Sequence, residues 1–126
     1  MAKYRVVIGD DIVPYPEKFE ISAAVILSRH FKTDVKFISK KSVSTPDVVI
    51  NNIFWEIKSP TGSGKRTIQH QIHNALSQSK NIVFDARRTK LRIDKIRTDL
   101  ARHAVENKSI KRLILIEKDE KVVIIK

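Results

Sequence analysis

The chain has 126 residues, contains no cysteine and carries 25 Lys and Arg against 14 Asp and Glu, a formal net charge of +11. The lack of cysteine excludes a disulfide framework and a thiolate zinc site, and no apolar run reaches the roughly 18 residues of a membrane helix. The length predicts one domain over residues 1–126 with a single core. The charge favours nucleic acid as partner, although an acidic protein partner could use the same surface.

The first third of the chain predicts a strand, a helix and a second strand. Residues 4–8 and 34–38 have the apolar, β-branched character of strands, and residues 17–31 have the spacing of one helical face. Glu17 suits the N-terminal end of that helix, where the dipole favours an acid. Glu20 lies on the inward stripe of the helix, so a dipole role and a place in a functional site both stay open.

A hairpin is predicted for residues 47–58, entered from the basic loop 40–45. Asn51-Asn52 is suited to a two-residue type I′ turn because Asn tolerates positive φ. That turn fixes the register, so that Ile50 faces Ile53 and the pairing continues towards the ends of the hairpin. There, Asp47 is predicted to face Glu56.

Two opposed carboxylates repel each other, since paired Cβ atoms across a strand pair lie only about 5 Å apart. A cation should compensate them, and Lys58 or a divalent metal is a candidate. Two carboxylates can hold Mg²⁺ or Mn²⁺ through oxygen ligands, and such a metal activates water for attack on a phosphodiester. The alternative is structural, with Asp47 as a strand-entry residue and Glu56 and Lys58 as a solvated ion pair.

The segment after the hairpin is a Gly- and Ser-containing basic loop, residues 59–67, followed by a predicted helix over residues 66–80. The loop departs from the nucleotide-binding P-loop at Ser59 and Arg66, so we predict a flexible loop whose Lys65 and Arg66 contact substrate phosphate. On the helix, Thr67 and Gln71 belong to an amide-rich flank suited to hydrogen-bonding substrate. His70 and His73 are a weak candidate for Zn²⁺ because no third ligand accompanies them.

The last third predicts a buried strand over residues 81–85, a helix, and a closing hairpin formed by residues 113–116 and 122–125. Basic residues crowd the predicted start of the helix, where they oppose the dipole. They are Arg87, Arg88, Lys90, Arg92, Lys95 and Arg97. We predict that Arg87 and Arg88 bind phosphate; a solvated charged face is the alternative.

Pro46-Asp47 together with Glu56-Ile57-Lys58 resembles the signature of the PD-(D/E)XK nuclease superfamily. More narrowly, residues 46–50, 54–60 and 78–83 are similar to the C-terminal tRNA-nuclease domain of contact-dependent growth inhibition toxins. The order of predicted elements agrees with the restriction-endonuclease-like core, an α/β sandwich with a mixed sheet.

The resemblance implies a metal-dependent endoribonuclease toxin that cleaves tRNA in the cytosol of a target cell. In that reading Asp47 and Glu56 bind Mg²⁺ or Mn²⁺, with Zn²⁺ as a further option, Lys58 positions the attacking water, and Glu20 is an extra ligand. A cognate immunity protein is implied as partner, and translation factors assist some related toxins. The preference for RNA over DNA comes from the resemblance alone.

Three alternatives stay open. A metal-independent ribonuclease would use Lys58, Thr67, His70 or His73 as acid, base or oxyanion stabiliser. A DNA nuclease of the same superfamily would keep the metal site. A non-catalytic nucleic-acid-binding module would leave Asp47 and Glu56 with structural roles only.

Overall fold

The computed structural model describes residues 4–126, which form seven strands and three helices. In chain order these are β1 Val6–Val7, α1 Lys18–Phe31, β2 Val35–Phe37, β3 Val48–Ile50, β4 Ile53–Lys58, α2 Thr67–Leu76, β5 Asn81–Asp85, α3 Ile93–Glu106, β6 Arg112–Ile116 and β7 Val122–Ile124. No helix within residues 4–126 combines the length and apolar character needed to cross a membrane.

The strands form one mixed sheet whose spatial order, β1 to β7, is also their order in the chain. Strands β2, β3 and β4 pair antiparallel, as do β6 and β7, while β1–β2, β4–β5 and β5–β6 are parallel pairs. Each parallel pair is joined through a helix, as parallel strands require. The predicted mixed α/β fold is therefore confirmed.

The β3–β4 hairpin forms as predicted. Asn51 and Asn52 have φ values of 50° and 65°, which is the pair of positive angles that a type I′ turn requires. Ile50 pairs with Ile53, and the register continues to Val48 opposite Trp55. Asp47 lies just before β3, where its amide donates to the Trp55 carbonyl at 3.1 Å.

The two faces of the sheet bury separate apolar clusters because side chains alternate along each strand. In β5, Val83 points to the cluster under α1, whereas Ile82 and Phe84 point to the cluster under α2 and α3. Strand β6 alternates in the same way. One helix thus covers one face, and two helices cover the other.

Helix α2 ends at Leu76, four residues before the predicted end. The side chain of Ser77 donates to the Asn74 carbonyl at 2.7 Å, and the chain then turns back towards the hairpin. There the side chains of Ser79 and Asn81 donate to the Phe54 carbonyl at 2.9 and 3.0 Å. These contacts take the place of a further helical turn.

Helix α3 begins at Ile93, so Arg87, Arg88 and Lys90 lie in the preceding loop and not at a helix start. The argument from the helix dipole was therefore wrong for these three residues. The predicted helix start was too early. Leu91 packs into the buried apolar cluster from the loop, so its burial does not mark the helix. Near the start of the chain, the strand predicted over residues 4–8 is shorter in the structure, where β1 comprises only Val6–Val7.

Candidate active site

A cavity of about 580 Å³ opens where β4 ends, at the base of the hairpin and away from its turn. Four predicted catalytic residues line it, and they come from three separate parts of the chain: Glu20 from α1, Asp47 from the entry to β3, and Glu56 and Lys58 from β4. The cavity also includes Thr67, Gln71 and Arg88, which were predicted to contact substrate. The fold thus brings together most of the predicted site.

Asp47 is held on both carboxylate oxygens. Oδ2 accepts a hydrogen bond from the Ile57 amide at 2.7 Å, across the strand pair, and Oδ1 accepts one from Lys40 Nζ at 2.7 Å. Only 6% of Asp47 is exposed. The carboxylate is therefore fixed in place by a backbone donor and a cation, which is the environment that stabilises a buried charge.

Glu56 is buried almost completely, with 2% of its surface exposed. Its Oε2 lies 3.2 Å from Lys58 Nζ, but its Oε1 is buried and has no hydrogen-bond partner among residues 4–126. Burial, and then the neighbouring Asp47 carboxyl group, raise the pKa of Glu56 to about 8. The predicted Glu56–Lys58 ion pair therefore forms, but it is not a solvated surface pair, because the Glu56 carboxyl group is almost entirely buried.

Glu20 lines the cavity from α1 and also caps the N-terminal end of that helix. Its Oε1 accepts a hydrogen bond from the Glu17 amide at 2.8 Å, so it caps the helix that carries it. Burial, and more weakly the charge on Asp47, raise the pKa of Glu20, while that hydrogen bond and Lys40 act in the opposite direction. Glu20 is thus close enough to Asp47 for the two charges to interact.

A divalent cation fits the pair formed by Asp47 and Glu56. Glu56 has an orphaned buried carboxylate oxygen, and its pKa is raised first by burial and then by the neighbouring Asp47 carboxylate, so a further cation beside the pair would stabilise the charged form. Within residues 4–126, no group of three or more His, Asp or Glu side chains is gathered for a metal ion. A two-carboxylate site still suits Mg²⁺, which commonly keeps several waters and takes further oxygens from substrate phosphate.

The walls of the cavity are tied to each other. Arg88 lies 3.8 Å above the ring of Phe19 and donates to the Ser59 carbonyl at 3.2 Å. Thr89 donates from its hydroxyl to the Gly62 carbonyl at 2.5 Å. The loop after β4, predicted to be flexible, is therefore attached at two points to the loop after β5.

Three predicted phosphate contacts lie outside the cavity walls. Lys65 and Arg66 are exposed at the far end of the loop, close to the start of α2. The Arg87 guanidinium binds both oxygens of the fully buried Asp85 at 2.9 and 2.8 Å and donates to the Ser22 hydroxyl at 2.7 Å. This arrangement gives Arg87 a structural role linking the end of β5 to α1.

Lys40 is the site residue that sequence reasoning missed. It was assigned only to a basic loop, yet it neutralises Asp47 directly. The pairing of β2 with β3, which the sequence does not show, places Phe37 opposite Val48. Extending this register past the strand ends brings the residues after Ile38 beside Asp47. His70 also lines the cavity, next to Thr67 and Gln71, whereas His73 does not.

Comparisons with known proteins agree with this fold. A solved structure described as the CdiA-CT/CdiI toxin and immunity complex from Burkholderia pseudomallei matches with a TM-score of 0.71 and 22% identity over 97% of this chain and 98% of that one. No curated protein sequence matches the chain. Residues 44–122, which include Asp47, Glu56 and Lys58, match the family of contact-dependent growth inhibition CdiA C-terminal domains. The chain therefore belongs to this family of toxin domains.

Proposed function

We propose that this toxin domain is a metal-dependent endoribonuclease that cleaves tRNA, with residues 1–126 forming one nuclease domain of the restriction-endonuclease-like, PD-(D/E)XK type. The observation that carries the proposal is the buried Glu56 Oε1, which has no protein partner within residues 4–126 and lies beside Asp47 and Lys58 in an open cavity. Stability alone does not favour such a group, since an unpaired buried carboxylate oxygen is costly.

Asp47 and Glu56 are the residues proposed to hold the metal, Mg²⁺ or Mn²⁺, with Glu20 able to add an oxygen if its cap to Glu17 opens. When bound, the metal supplies Lewis acidity and lowers the pKa of water. Lys40 and Lys58 already flank the two carboxylates at 2.7 and 3.2 Å. These lysines hold the carboxylates in position, and a cation bound to Asp47 would share Oδ1 with Lys40 or displace it.

Lys58 has a second proposed task at the reacting phosphate. Its ammonium group lines the cavity, where it can donate to the attacking water and stabilise negative charge that develops on the phosphate oxygens. Arg88 is held across the cavity mouth by Phe19 and Ser59 and is the proposed phosphate contact. Thr67 and Gln71 supply hydrogen bonds to sugar or base, while Lys65 and Arg66 attract the polyanion from the rim.

Membership of the CdiA C-terminal family supports a toxic activity, and the choice of tRNA over DNA rests on the resemblance of residues 46–60 and 78–83 to tRNA-cleaving toxins. The solved relative was determined with an immunity protein. We accordingly propose a cognate immunity protein as partner and the cytosol of the target cell as the place of action. A translation factor that assists cleavage is a further proposed partner.

The test is cleavage of total tRNA and of duplex DNA by the purified chain, each in Mg²⁺ and in EDTA. Glu56→Gln is compared with Glu106→Gln, which makes the same change at an exposed position of α3. We expect cleavage of tRNA that requires Mg²⁺, is lost in Glu56→Gln and persists in Glu106→Gln. Cleavage of DNA but not tRNA would keep the metal site and reject the substrate.

Cleavage that survives EDTA and Glu56→Gln would reject the metal. His70 lines the cavity together with Lys58 and Thr67, so a metal-independent ribonuclease would use these three residues, and His70→Gln would then abolish activity. Absence of cleavage of either polymer at every Mg²⁺ and Mn²⁺ concentration would favour a nucleic-acid-binding module.

A further inference from the structure

The sheet face under α1 is only partly covered. One helix cannot span seven strands, since a helix is about 10 Å wide and strands lie about 4.8 Å apart. Beyond the C-terminal end of α1, a groove of about 370 Å³ lies between the hairpin turn and the start of β6. We call it the tip groove.

The tip groove has an apolar floor. It is lined by Phe31, Ile53, Trp55, Ile114 and Ile124. Ile124, on the edge strand β7, is 65% exposed, and Phe31 and Ile53 are partly exposed although they pack against the core. An exposed cluster of this kind on a charged protein is a mark of an interaction surface.

The rim of the tip groove is cationic. Lys111, Arg112 and Lys126 line it, and no Asp or Glu of residues 4–126 does. None of these three cations forms a salt bridge with a carboxylate in the described part of the chain. Lys126 Nζ donates to the Ala104 carbonyl at 2.8 Å and Arg112 donates to Asn81 Oδ1 at 3.2 Å, so the charges of Lys111 and Arg112 are the ones left to meet a carboxylate. They differ in this from Lys40, Lys58 and Arg87, which neutralise buried acids around the active-site cavity.

We propose that the tip groove binds an acidic protein partner, which inserts one apolar side chain between the hairpin turn and β7 and places carboxylates against Lys111 and Arg112. A second copy of this chain is a poor occupant, because each copy carries a net charge of +11 and like-charged surfaces repel. Nucleic acid complements the rim, but its phosphates gain nothing from a floor that is almost entirely aliphatic and aromatic.

This surface is separate from the active-site cavity. The two share no lining residue, and Ile53 and Lys58 lie at opposite ends of β4, about 17 Å apart at the usual rise of a strand. A partner confined to the tip groove therefore leaves the cavity open. The inference does not depend on the nuclease activity proposed above.

The test begins with a random dodecapeptide phage library panned on the complete chain in the presence of excess yeast RNA. We expect enriched peptides to share an apolar residue flanked by Asp or Glu. The consensus peptide, synthesised with a fluorescent label, should bind more tightly at low salt than at high salt. Its affinity should fall by about tenfold or more in Ile124→Asp and in the double variant Lys111→Glu with Arg112→Glu.

Two control variants make changes of the same kind, an apolar residue to Asp and a Lys to Glu, on other surfaces. Val105→Asp alters a residue of α3 that is 81% exposed on the opposite layer, and Lys65→Glu reverses an exposed charge near the cavity. Both should bind the peptide within about twofold of the unchanged chain, a difference below 0.5 kcal/mol. Thermal melts confirm that each variant is folded, and the two tip-groove variants test the site independently.

The proposal is overturned if no acidic consensus emerges, or if the consensus peptide binds Ile124→Asp and the double charge reversal as tightly as the unchanged chain. It is also overturned if those two variants lose affinity for a single-stranded RNA oligonucleotide while Lys65→Glu retains it. In that case the tip groove belongs to a nucleic-acid surface.

Discussion

The two ends of the β3–β4 hairpin differ in whether their residues favour the stability of the fold. At the turn, Asn51 and Asn52 adopt the positive φ angles that Asn tolerates, and Ile50 packs opposite Ile53. At the base, Asp47 and Glu56 bring two acids together in a buried place, and Glu56 keeps an oxygen without a partner within residues 4–126. One end has the residues that stability selects, and the other has residues that stability rejects.

This difference shows where to look for function in the chain. A sequence specifies its fold when local preferences, packing and charge agree, and departures from that agreement concentrate at functional sites. Changes at the base of the hairpin should therefore damage activity and spare stability, whereas changes at the turn should do the reverse. Four experiments test that division, from the largest expected effect to the smallest.

Lys58→Met should give the largest effect, a loss of about 100- to 1,000-fold in the rate of tRNA cleavage. The change keeps most of the apolar stem but removes the ammonium group beside Glu56, which we propose to act on the attacking water and the phosphate. The measurement is single-turnover cleavage in Mg²⁺. Lys65→Met, at an exposed position outside the cavity walls, should retain activity within severalfold, and equal losses in both variants would refute a specific role for Lys58.

The double variant Asn51→Val with Asn52→Val should lower the free energy of unfolding by about 2–3 kcal/mol. A left-handed backbone costs an ordinary residue about 1–2 kcal/mol, and β-branched side chains are the least tolerant of it. Urea denaturation measures the change. Cleavage per folded molecule should stay close to normal, and a variant that is stable but inactive would break the division between the two ends.

Glu56→Gln should make the metal-free protein more stable at high pH, by about 1 kcal/mol. Burial and Asp47 raise the pKa of Glu56 from 4.5 to about 8 in the folded state, so the folded protein holds a proton that the unfolded chain releases. The stability associated with Glu56 is therefore fully present below pH 4.5 and is lost as the pH rises to about 8. The loss should be absent in Glu56→Gln.

This measurement is made in EDTA, by urea denaturation across the pH range, with Glu106→Gln as the control at an exposed acid. Addition of Mg²⁺ should reduce or reverse the difference, because only the glutamate gains a cation. A Glu56→Gln variant that is less stable than the unchanged chain at all pH values would mean that Glu56 stabilises the fold.

Asn52→Gly should give the smallest effect, a gain in stability of about 0.5 kcal/mol or less. Glycine reaches positive φ without steric cost, but it also loses more backbone entropy on folding, so the two contributions nearly cancel. Asn-Gly is nevertheless the preferred type I′ pair. Urea denaturation gives the sign, and a clear loss of stability would indicate that the Asn52 side chain contributes to the turn.

Much of the fold could be predicted because its signals are local. The turn type and register of the hairpin follow from two asparagines and the alternation around them, and the register alone predicts that Asp47 lies near Glu56. The helix boundaries were less predictable. Ser79 and Asn81 follow the end of α2 and donate hydrogen bonds to the Phe54 carbonyl, and such a distant backbone partner leaves no periodic signal.

The cations of the site were harder to assign than its acids. Arg87 and Arg88 are adjacent and look equivalent in the sequence, yet Arg87 binds the buried Asp85 while Arg88 reaches the cavity over Phe19. Lys40 lies in a basic loop, and only the pairing of β2 with β3 brings it to Asp47. Counting charges predicts an anionic partner, but tertiary contacts decide which cations are free to bind one.

The order of the strands has a consequence for how the chain reaches this structure. Because each strand pairs with the one before it in the chain, no strand has to enter between two that are already paired. The sheet can grow by successive addition, in which the antiparallel pairs close connections of 10, 2 and 5 residues and the parallel pairs close longer ones that contain a helix. The short antiparallel connections should form first, because closing them costs less chain entropy. A chain that arrived unfolded at its destination could rebuild the cavity as soon as β4 and β5 had joined the growing edge.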